Sequence, residues 1–240
     1  MNIAVILAGG IGNRLGNNIP KQFLKIAGKT VMEMSIEVFE NNAQIHEIAI
    51  VIHKAYTSVI EEMVSANNWK KVRKILQGGS ERYESSFAAI CAYSDYPQAN
   101  LIFHDAVRPL LNNRIINDVV DALKKYNAVT VAIKTTDTIG KIDKSGTFVE
   151  NIPDRNFLYR IQTPQGFKTA IIKKAYDIAL KDPHVESTDD CGIVAKYLPN
   201  EKVYVVIGEE ANMKLTYKED YYLLDTLFQL QSATEVVCCR

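Results

Sequence analysis

Short apolar runs alternate along this chain with longer amphipathic stretches. The clearest runs are rich in Val and Ile and bounded by Gly, Asp or Lys; they cover residues 3–7, 48–52, 101–103, 129–133 and 203–207. Unbroken apolar runs of this kind are typical of strands buried on both faces, as in a parallel sheet. Residues 72–76, which precede Gly78-Gly79, are a weaker candidate strand.

The stretches between the runs have helical periodicity. Val31, Met34 and Val38 would share one helical face, and so would Ile115 and Val119 further along the chain. The pattern predicts helices over residues 31–39, 80–93, 113–126, 169–180, 188–197 and 217–230. Strand and helix in steady succession predict an α/β fold with a doubly wound, mostly parallel sheet. We expect a single domain over residues 1–240.

Residues 136–159 interrupt this alternation. They contain two alternating arms around a predicted turn at residues 143–146, which indicates an inserted β-hairpin. An isolated two-stranded hairpin is only marginally stable, so its apolar side must be covered. A second copy of the chain is the favoured cover, and the hairpin would then be a dimerisation arm; the alternative is a hairpin that folds back on its own domain.

Composition excludes several classes of function. The 28 basic side chains balance the 28 acidic ones, so no global field attracts nucleic acid or an anionic membrane. The apolar run at residues 2–9 is too short to span a bilayer, and no basic stretch precedes it as in a signal peptide. The four cysteines have no spacing typical of a metal site or a disulfide framework. We therefore expect a soluble, cytoplasmic protein.

A Gly-rich loop follows the first predicted strand. Residues 8–16 read Ala-Gly-Gly-Ile-Gly-Asn-Arg-Leu-Gly, and Lys21 lies shortly beyond them. Glycines let the backbone approach a bound group, backbone N–H groups cradle anions, and Arg14 and Lys21 add positive charge. A dinucleotide fingerprint would need Gly where Leu15 stands, and a P-loop ending at Gly28-Lys29-Thr30 would need Gly where Phe23 stands. The loop therefore predicts a phosphate site of another kind, at the carboxyl end of a strand.

This loop, together with Pro20-Lys21-Gln22, resembles the signature of nucleotidyltransferases that activate sugars and polyols. Its spacing is similar to that of the methylerythritol-phosphate and ribitol-phosphate cytidylyltransferases. Further blocks follow in the same order and extend the resemblance over nearly the whole chain: Gly78-Gly79-Ser80-Glu81-Arg82 with Ser85, His104-Asp105-Ala106-Val107-Arg108-Pro109, Asp137-Thr138, Asp154-Arg155, Gln162-Thr163-Pro164-Gln165, Thr188-Asp189 and Asn212-Met213-Lys214.

The resemblance implies transfer of CMP from CTP to a polyol phosphate, with Mg²⁺ on the triphosphate. It assigns charge stabilisation to Arg14, Lys21 and Lys214. It assigns the nucleotide to Ala8, Gly9, Gly10, Gly12, Gly79, Ser80, Ser85 and Asp105. It assigns the acceptor to Thr138, Arg155, Thr163 and Thr188, with the arm of a homodimeric partner completing the site. Asp105 would contact the metal directly or through water; alternatively it caps a helix or pairs with Arg108, and Ser85 could equally be an ordinary helix residue.

The acceptor is less closely defined. The segment Asn151-Ile152-Pro153 and Tyr159 favour ribitol 5-phosphate, because the methylerythritol enzymes are expected to carry Thr-Val-Asp-Arg-Asn and a Trp at these places. Asp154-Arg155-Asn156 matches the methylerythritol enzymes better, so 2-C-methyl-D-erythritol 4-phosphate is the alternative acceptor. A related enzyme using GTP or UTP and a catalytically silent nucleotide-binding module are the other hypotheses; the presence of Arg14, Lys21 and Lys214 argues against the silent module.

Overall fold

A seven-stranded sheet forms the centre of the computed structural model, which describes residues 1–10, 19–185, 187 and 189–238 (side chains up to 230). The sheet strands are β1 (Asn2–Ala8), β4 (Glu47–Ile52), β5 (Val72–Gln77), β6 (Asn100–Asp105), β7 (Ala128–Lys134), β10 (Tyr159–Lys168) and β11 (Val203–Ile207). Two short antiparallel pairs lie outside it: β2 (Lys25–Ile26) with β3 (Lys29–Thr30), and β8 (Lys141–Ile142) with β9 (Val149–Asn151).

The strand order is β11-β7-β10-β6-β1-β4-β5. Every neighbouring pair is parallel except the two pairs made by β10, which is antiparallel to both β7 and β6. The five apolar runs and the weaker candidate all became strands of this sheet. The mostly parallel α/β prediction is therefore confirmed.

Helices cover both faces of the sheet. They are α1 (Val31–Glu40), α2 (Thr57–Ala66), α3 (Arg82–Ala92), α4 (Asn113–Ala122), α5 (Thr169–Ala179) and α6 (Asp190–Tyr197). A further helix, α7 (Lys218–Cys238), packs in a separate hydrophobic cluster. Along β1, Ala4 and Ile6 belong to one hydrophobic cluster with residues of α1, α2 and α4, whereas Ile3 and Val5 belong to another with residues of α3, α5 and α6. This arrangement, with a helical layer on each face of the sheet, is the doubly wound fold that the sequence predicts.

Some helix boundaries differ from the prediction. Helix α2 was not predicted, and α4 ends at Ala122 with Leu123 as its C-cap, before the predicted end at Tyr126. The α1 helix begins where predicted because Thr30 and Glu33 form a capping box: the Thr30 hydroxyl accepts from Glu33 N at 3.1 Å, and the Glu33 carboxylate accepts from Thr30 N at 2.6 Å.

The longest strand of the sheet, β10, was missed. Its centre carries Gln162, Thr163 and Gln165, so it lacks the apolar run that marks the other strands. All three side chains are nevertheless buried, and the register with β7 shifts between Gln162 and Gln165. As a result, β10 brings polar side chains to the carboxyl end of β6.

The hairpin prediction is confirmed. Strands β8 and β9 flank a turn at residues 143–146, where Gly146 adopts φ +75° and donates its N–H to Asp143 O at 3.0 Å. The hairpin and the residues after it expose large apolar side chains: Ile139, Ile142, Phe148, Val149, Ile152 and Phe157. Within the described part of the chain, no helix has both the length and the hydropathy of a membrane span.

Candidate active site

A cavity of about 440 Å³ opens at the carboxyl ends of β1, β5 and β6. Parallel α/β sheets bind ligands at this edge, because the loops that leave the strands diverge there. The cavity, called the main cavity below, brings together nine of the predicted site residues: Ala8, Gly9, Gly10, Lys21, Gly79, Ser80, Ser85, Asp105 and Lys214. Residues that are far apart in sequence thus line one space.

Two glycines allow the Ser85 hydroxyl to reach the wall of the main cavity. A Cβ added to Gly9 or Gly78 would lie 3.0 or 2.9 Å from Ser85 Oγ, closer than ordinary contact. Ser85 is buried, and its Oγ donates to Glu81 O at 3.3 Å. The loop after β1 and the loop after β5 therefore pack around this one hydroxyl.

The second loop is fixed by Glu84. Its carboxylate accepts from Ser80 Oγ at 2.7 Å and from Glu81 N at 3.0 Å, and these bonds lower the pKa of Glu84. A Cβ on Gly79 would overlap Glu84 Cβ, so only glycine fits there. The Ser80 hydroxyl is thus engaged within the loop, while the loop backbone lines the cavity.

Asp105 lies among three cationic side chains. Its carboxylate oxygens are 2.9 Å from Lys214 Nζ, 3.5 Å from Arg82 Nε and 3.7 Å from Arg108 Nε. Burial alone raises the pKa of Asp105, but Arg82, Lys214 and Arg108 together hold it well below its ordinary value. The carboxylate therefore stays ionised and holds three cations around it, of which Arg82 and Lys214 line the main cavity. The pairing with Arg108, considered above as an alternative role, is present.

A smaller chamber of about 180 Å³ adjoins the main cavity and shares Arg82, Asp105 and Lys214 with it. This side chamber is also lined by Arg108, Ile161, Gln162, Thr163, Gln165 and Asp189. Gln165 Nε2 donates to Asp189 Oδ2 at 2.7 Å, and Asp189 Oδ1 caps α6 through Gly192 N at 2.8 Å. Strand β10 and the N-cap of α6 thus contribute to the wall of the side chamber.

Thr163 is held in the buried network behind Asp105. Its Oγ accepts from Asp105 N at 3.1 Å and bonds His104 Nδ1 at 3.0 Å, while His104 Nε2 bonds Arg108 O at 3.2 Å. A carbonyl can only accept, so Nε2 carries the proton, Nδ1 accepts, and the Thr163 hydroxyl donates to it. The hydroxyl predicted to meet the acceptor thus fixes the Asp105 backbone, and a contact with acceptor remains a prediction.

Burial lowers the pKa of His104 from its ordinary value of 6.5 to about 4, so the folded protein keeps this ring neutral. Between these two pH values His104 is protonated in the unfolded chain and neutral in the folded chain. The free energy of unfolding should therefore fall as the pH drops through this window. We expect the wild type to lose up to about 3 kcal/mol of unfolding free energy there through this group. Urea titrations of the wild type and His104→Gln between these pH values measure the effect.

The His104→Gln variant should show a flatter pH dependence in that window. Its matched control is His184→Gln, because His184 is exposed. Carboxylates with a lowered pKa, such as Asp105, lose their contribution only at lower pH, below the ordinary carboxylate value. Equal slopes for the wild type and His104→Gln would contradict the neutral ring.

The remaining predicted residues lie elsewhere. Arg14, Gly12 and Thr188 fall outside the described residues. Thr138 and Arg155 are exposed in the arm, where Arg155 Nη1 donates to Thr136 O at 3.0 Å, and neither lines the main cavity or the side chamber as described.

Sequence reasoning assigned no role to Arg82 or Gln22, which both line the main cavity. Arg82 bridges two carboxylates: its Nη1 is 2.9 Å from Asp190 Oδ2 and its Nε is 3.5 Å from Asp105 Oδ1. Its place directly after Gly78-Gly79-Ser80-Glu81 was the available signal for a site residue. Gln22 had only its place beside Lys21 as a signal.

Comparison with known proteins decides the family. The model of the IspD family, 2-C-methyl-D-erythritol 4-phosphate cytidylyltransferase, matches residues 2–229. This chain belongs to the IspD family. It is accordingly a cytidylyltransferase, a class of enzyme that uses CTP and a sugar or polyol phosphate.

Three similar proteins illustrate the range of names in this family. The bifunctional ribulose 5-phosphate reductase/CDP-ribitol pyrophosphorylase Bcs1 of Haemophilus influenzae is 47% identical over 96% of this chain, which spans about half (49%) of that protein. The 2-C-methyl-D-erythritol 4-phosphate cytidylyltransferase of Thermobifida fusca is 40% identical over 94% of this chain and 92% of its own length. The crystal structure of 4-diphosphocytidyl-2C-methyl-D-erythritol synthase from Anaerococcus prevotii superposes with a TM-score of 0.83 at 30% identity, covering 95% of this chain and 96% of that one.

Proposed function

We propose that this chain transfers CMP from CTP to D-ribitol 5-phosphate and releases pyrophosphate. The observation that carries the proposal is the junction of two cavities at Arg82, Asp105 and Lys214, because one space can hold the nucleotide and the other the polyol end of the acceptor. The Haemophilus relative, whose name includes a CDP-ribitol pyrophosphorylase, supports ribitol. The Thermobifida relative supports the methylerythritol alternative.

In this reaction a phosphate oxygen of the acceptor attacks the α-phosphorus of CTP. The new P–O bond forms as the bond to the bridging oxygen of pyrophosphate breaks. No general base is required, since a phosphate monoester has lost most of its second proton near neutral pH. Both reactants are anions, so fixed cations must offset repulsion and stabilise the charge that develops on the leaving group. Lys21 and Lys214, which line the main cavity, are the described residues proposed for this role.

The cytosine ring is proposed to lie against the loops after β1 and β5. Gly9 and Gly79 line the main cavity without side chains of their own, and the backbone of residues 79–81 together with the Ser85 hydroxyl is proposed to offer donors and acceptors at the edge of the ring. A pocket with fixed polar groups rejects a base whose donors and acceptors do not match. This supports CTP over UTP and GTP.

Mg²⁺ is proposed to bind chiefly through the triphosphate oxygens. The described residues contain no cluster of three or more His, Cys, Asp or Glu side chains that could hold a metal ion. Both Asp105 oxygens already contact cations, so direct ligation by Asp105 fits poorly and contact through a water molecule fits better. Mg²⁺ usually keeps several waters and takes few protein ligands, which agrees with such a site.

The acceptor site is proposed to be completed by the arm of a second copy. Thr138 and Arg155 are exposed, and the large apolar side chains of the arm need a cover. An Arg fork suits a phosphate because it makes two parallel hydrogen bonds. A two-fold homodimer would bring Arg155 of each chain to the acceptor of the other.

The course of the arm is the proposed basis of acceptor selection. Pro153 fixes its own φ and lacks a backbone N–H. It therefore restricts the path of the chain two residues before Arg155, and with it the position of the Arg155 guanidinium. Tyr159, at the start of β10, is half exposed beside this segment. Together they are proposed to favour a linear five-carbon polyol over a branched four-carbon one.

With both acceptors competing at limiting CTP, we expect ribitol 5-phosphate to have a kcat/KM about tenfold above that of 2-C-methyl-D-erythritol 4-phosphate. This ratio corresponds to about 1.4 kcal/mol, a size typical of discrimination by a methyl or methylene group. Mass spectrometry resolves the two products. UTP and GTP in parallel reactions test the nucleotide. If the methylerythritol product dominates, the alternative acceptor is established. If no product forms with either acceptor, the catalytically silent module is favoured.

A further inference from the structure

A buried amide lies behind the Gly-rich segment. Gln22 is 2% exposed and belongs to the 3-10 turn Lys21–Phe23. Its Nε2 donates to Ala8 O at 3.0 Å and to Gly10 O at 3.1 Å. A carboxamide has two N–H donors, so Gln22 uses one on the last residue of β1 and the other on the loop that follows.

These two bonds fix the orientation of the loop backbone. A trans peptide is planar with its C=O and N–H pointing in opposite directions, so holding Ala8 O also fixes the direction of Gly9 N–H. Glycine backbone is otherwise free to rotate. Ala8, Gly9 and Gly10 all line the main cavity, where the nucleotide is proposed to bind. The Gln22 amide thus removes conformational freedom from a part of the cavity wall that consists almost entirely of backbone.

The same short turn holds Lys21. Lys21 Nζ donates to Leu215 O at 3.0 Å, and Leu215 N donates to Val107 O at 2.9 Å. Leu215 follows Lys214 directly, so this bond ties the turn to the segment that carries the other proposed cation. Two adjacent residues of one turn therefore connect opposite parts of the cavity: Gln22 the Gly-rich segment, and Lys21 the segment after Lys214.

We propose that Gln22 is a positioning residue for nucleotide transfer. Its amide holds the backbone of residues 8–10 and, through the turn, sets the place of the Lys21 ammonium relative to that backbone. The inference rests on the proposed nucleotide site in the main cavity, but it does not depend on which acceptor is used. Gln22 itself need not touch any reacting atom.

Two replacements of nearly the same length separate this role from simple packing. Gln22→Met fills the space but donates nothing, whereas Gln22→Glu places a carboxylate against two carbonyl oxygens. We expect CTP to bind about tenfold more weakly to Gln22→Met and weaker still to Gln22→Glu near neutral pH, because unpaired or repelled backbone groups no longer hold one conformation. Calorimetry with CTP and Mg²⁺, without acceptor, measures this directly.

The pH dependence gives a signature that packing would not. Burial against two carbonyl oxygens should raise the pKa of the carboxylate introduced by Gln22→Glu toward neutral pH. Its protonation restores one O–H donor, so CTP affinity of this variant, relative to wild type, should recover by about threefold or more from about pH 8 to pH 6. Gln22→Met has no titrating group there and should keep a constant ratio. Gln229→Met, on the exposed side of α7, is the control and should match the wild type.

Thermal unfolding of each variant completes the experiment. If Gln22→Glu fails to fold, the Met variant alone carries the test. CTP affinity within twofold of wild type in the folded variants, or a loss fully explained by the fraction unfolded, would overturn the proposal. If the wild type binds CTP but turns over neither polyol phosphate, the proposed acceptors are wrong. The inference on Gln22 is still decided by the CTP affinities of the variants.

Discussion

Lys21→Ala is expected to lower kcat by about a hundredfold or more while the protein stays folded. The Lys21 side chain lines the main cavity, and its Nζ is held by Leu215 O at 3.0 Å. An ammonium fixed in advance stabilises charge developing on phosphate without reorganising during the reaction. Removing it takes away a cation where two anions must meet. Release of pyrophosphate at saturating CTP and acceptor measures kcat.

The control for this prediction is Lys124→Ala. Lys124 is exposed, and among the described residues its only ion pair is with Asp121, three residues earlier. Exposed ion pairs contribute little to stability, so Lys124→Ala should leave turnover and stability near wild type. Thermal unfolding of both variants tests whether the fold survives. Near-normal kcat for Lys21→Ala would remove Lys21 from the proposed mechanism. A fall in kcat that merely follows a fall in melting temperature would assign Lys21 to stability.

The sequence was sufficient for the parallel part of the sheet, because burial on both faces leaves an unbroken apolar run. Residues 48–52, for example, were predicted as a strand, and they lie in β4 with all five side chains buried. Strand β10 could not be found in the same way. Gln162 and Gln165 are buried at its centre, and their amides are satisfied by groups remote in sequence, such as Glu209 O and Asp189 Oδ2. Only the folded chain reveals these partners.

The same reason limits prediction of the site. The Gly-rich loop after β1 was recognisable from its glycines, and nine of the residues that the loop and the family resemblance suggested line the main cavity. The side chamber was not recognisable, because β10 forms one of its walls. Likewise, Asp190 is fully buried, with its Oδ2 2.9 Å from Arg82 Nη1 and its Oδ1 2.6 Å from Tyr176 Oη. The three residues lie on three different helices, so no local sequence pattern predicts this contact. Buried charges are tolerated when they are paired in this way.

Mixing Lys21→Ala protein with Arg155→Ala protein is expected to restore activity that neither has alone. If Arg155 serves the acceptor site of the partner, each site needs Lys21 from one chain and Arg155 from the other. In a hybrid dimer, the chain that keeps Lys21 then receives an intact Arg155 from its partner, and its site is complete. The other site of that dimer lacks both groups.

The size of the recovery follows from counting sites. Random exchange of equal amounts makes half of the dimers hybrid, and one of their two sites is intact, so activity should reach about a quarter of wild type from a few per cent or less. Lys21→Ala mixed with Lys214→Ala is the matched control. Both lysines line the same cavity of one chain, so every hybrid site lacks one of them and activity should stay low. Native mass spectrometry measures the exchange. If hybrid dimers form but activity does not recover, Arg155 either serves the site of its own chain or lies outside the site. The exposed apolar side chains of the arm would then need another cover.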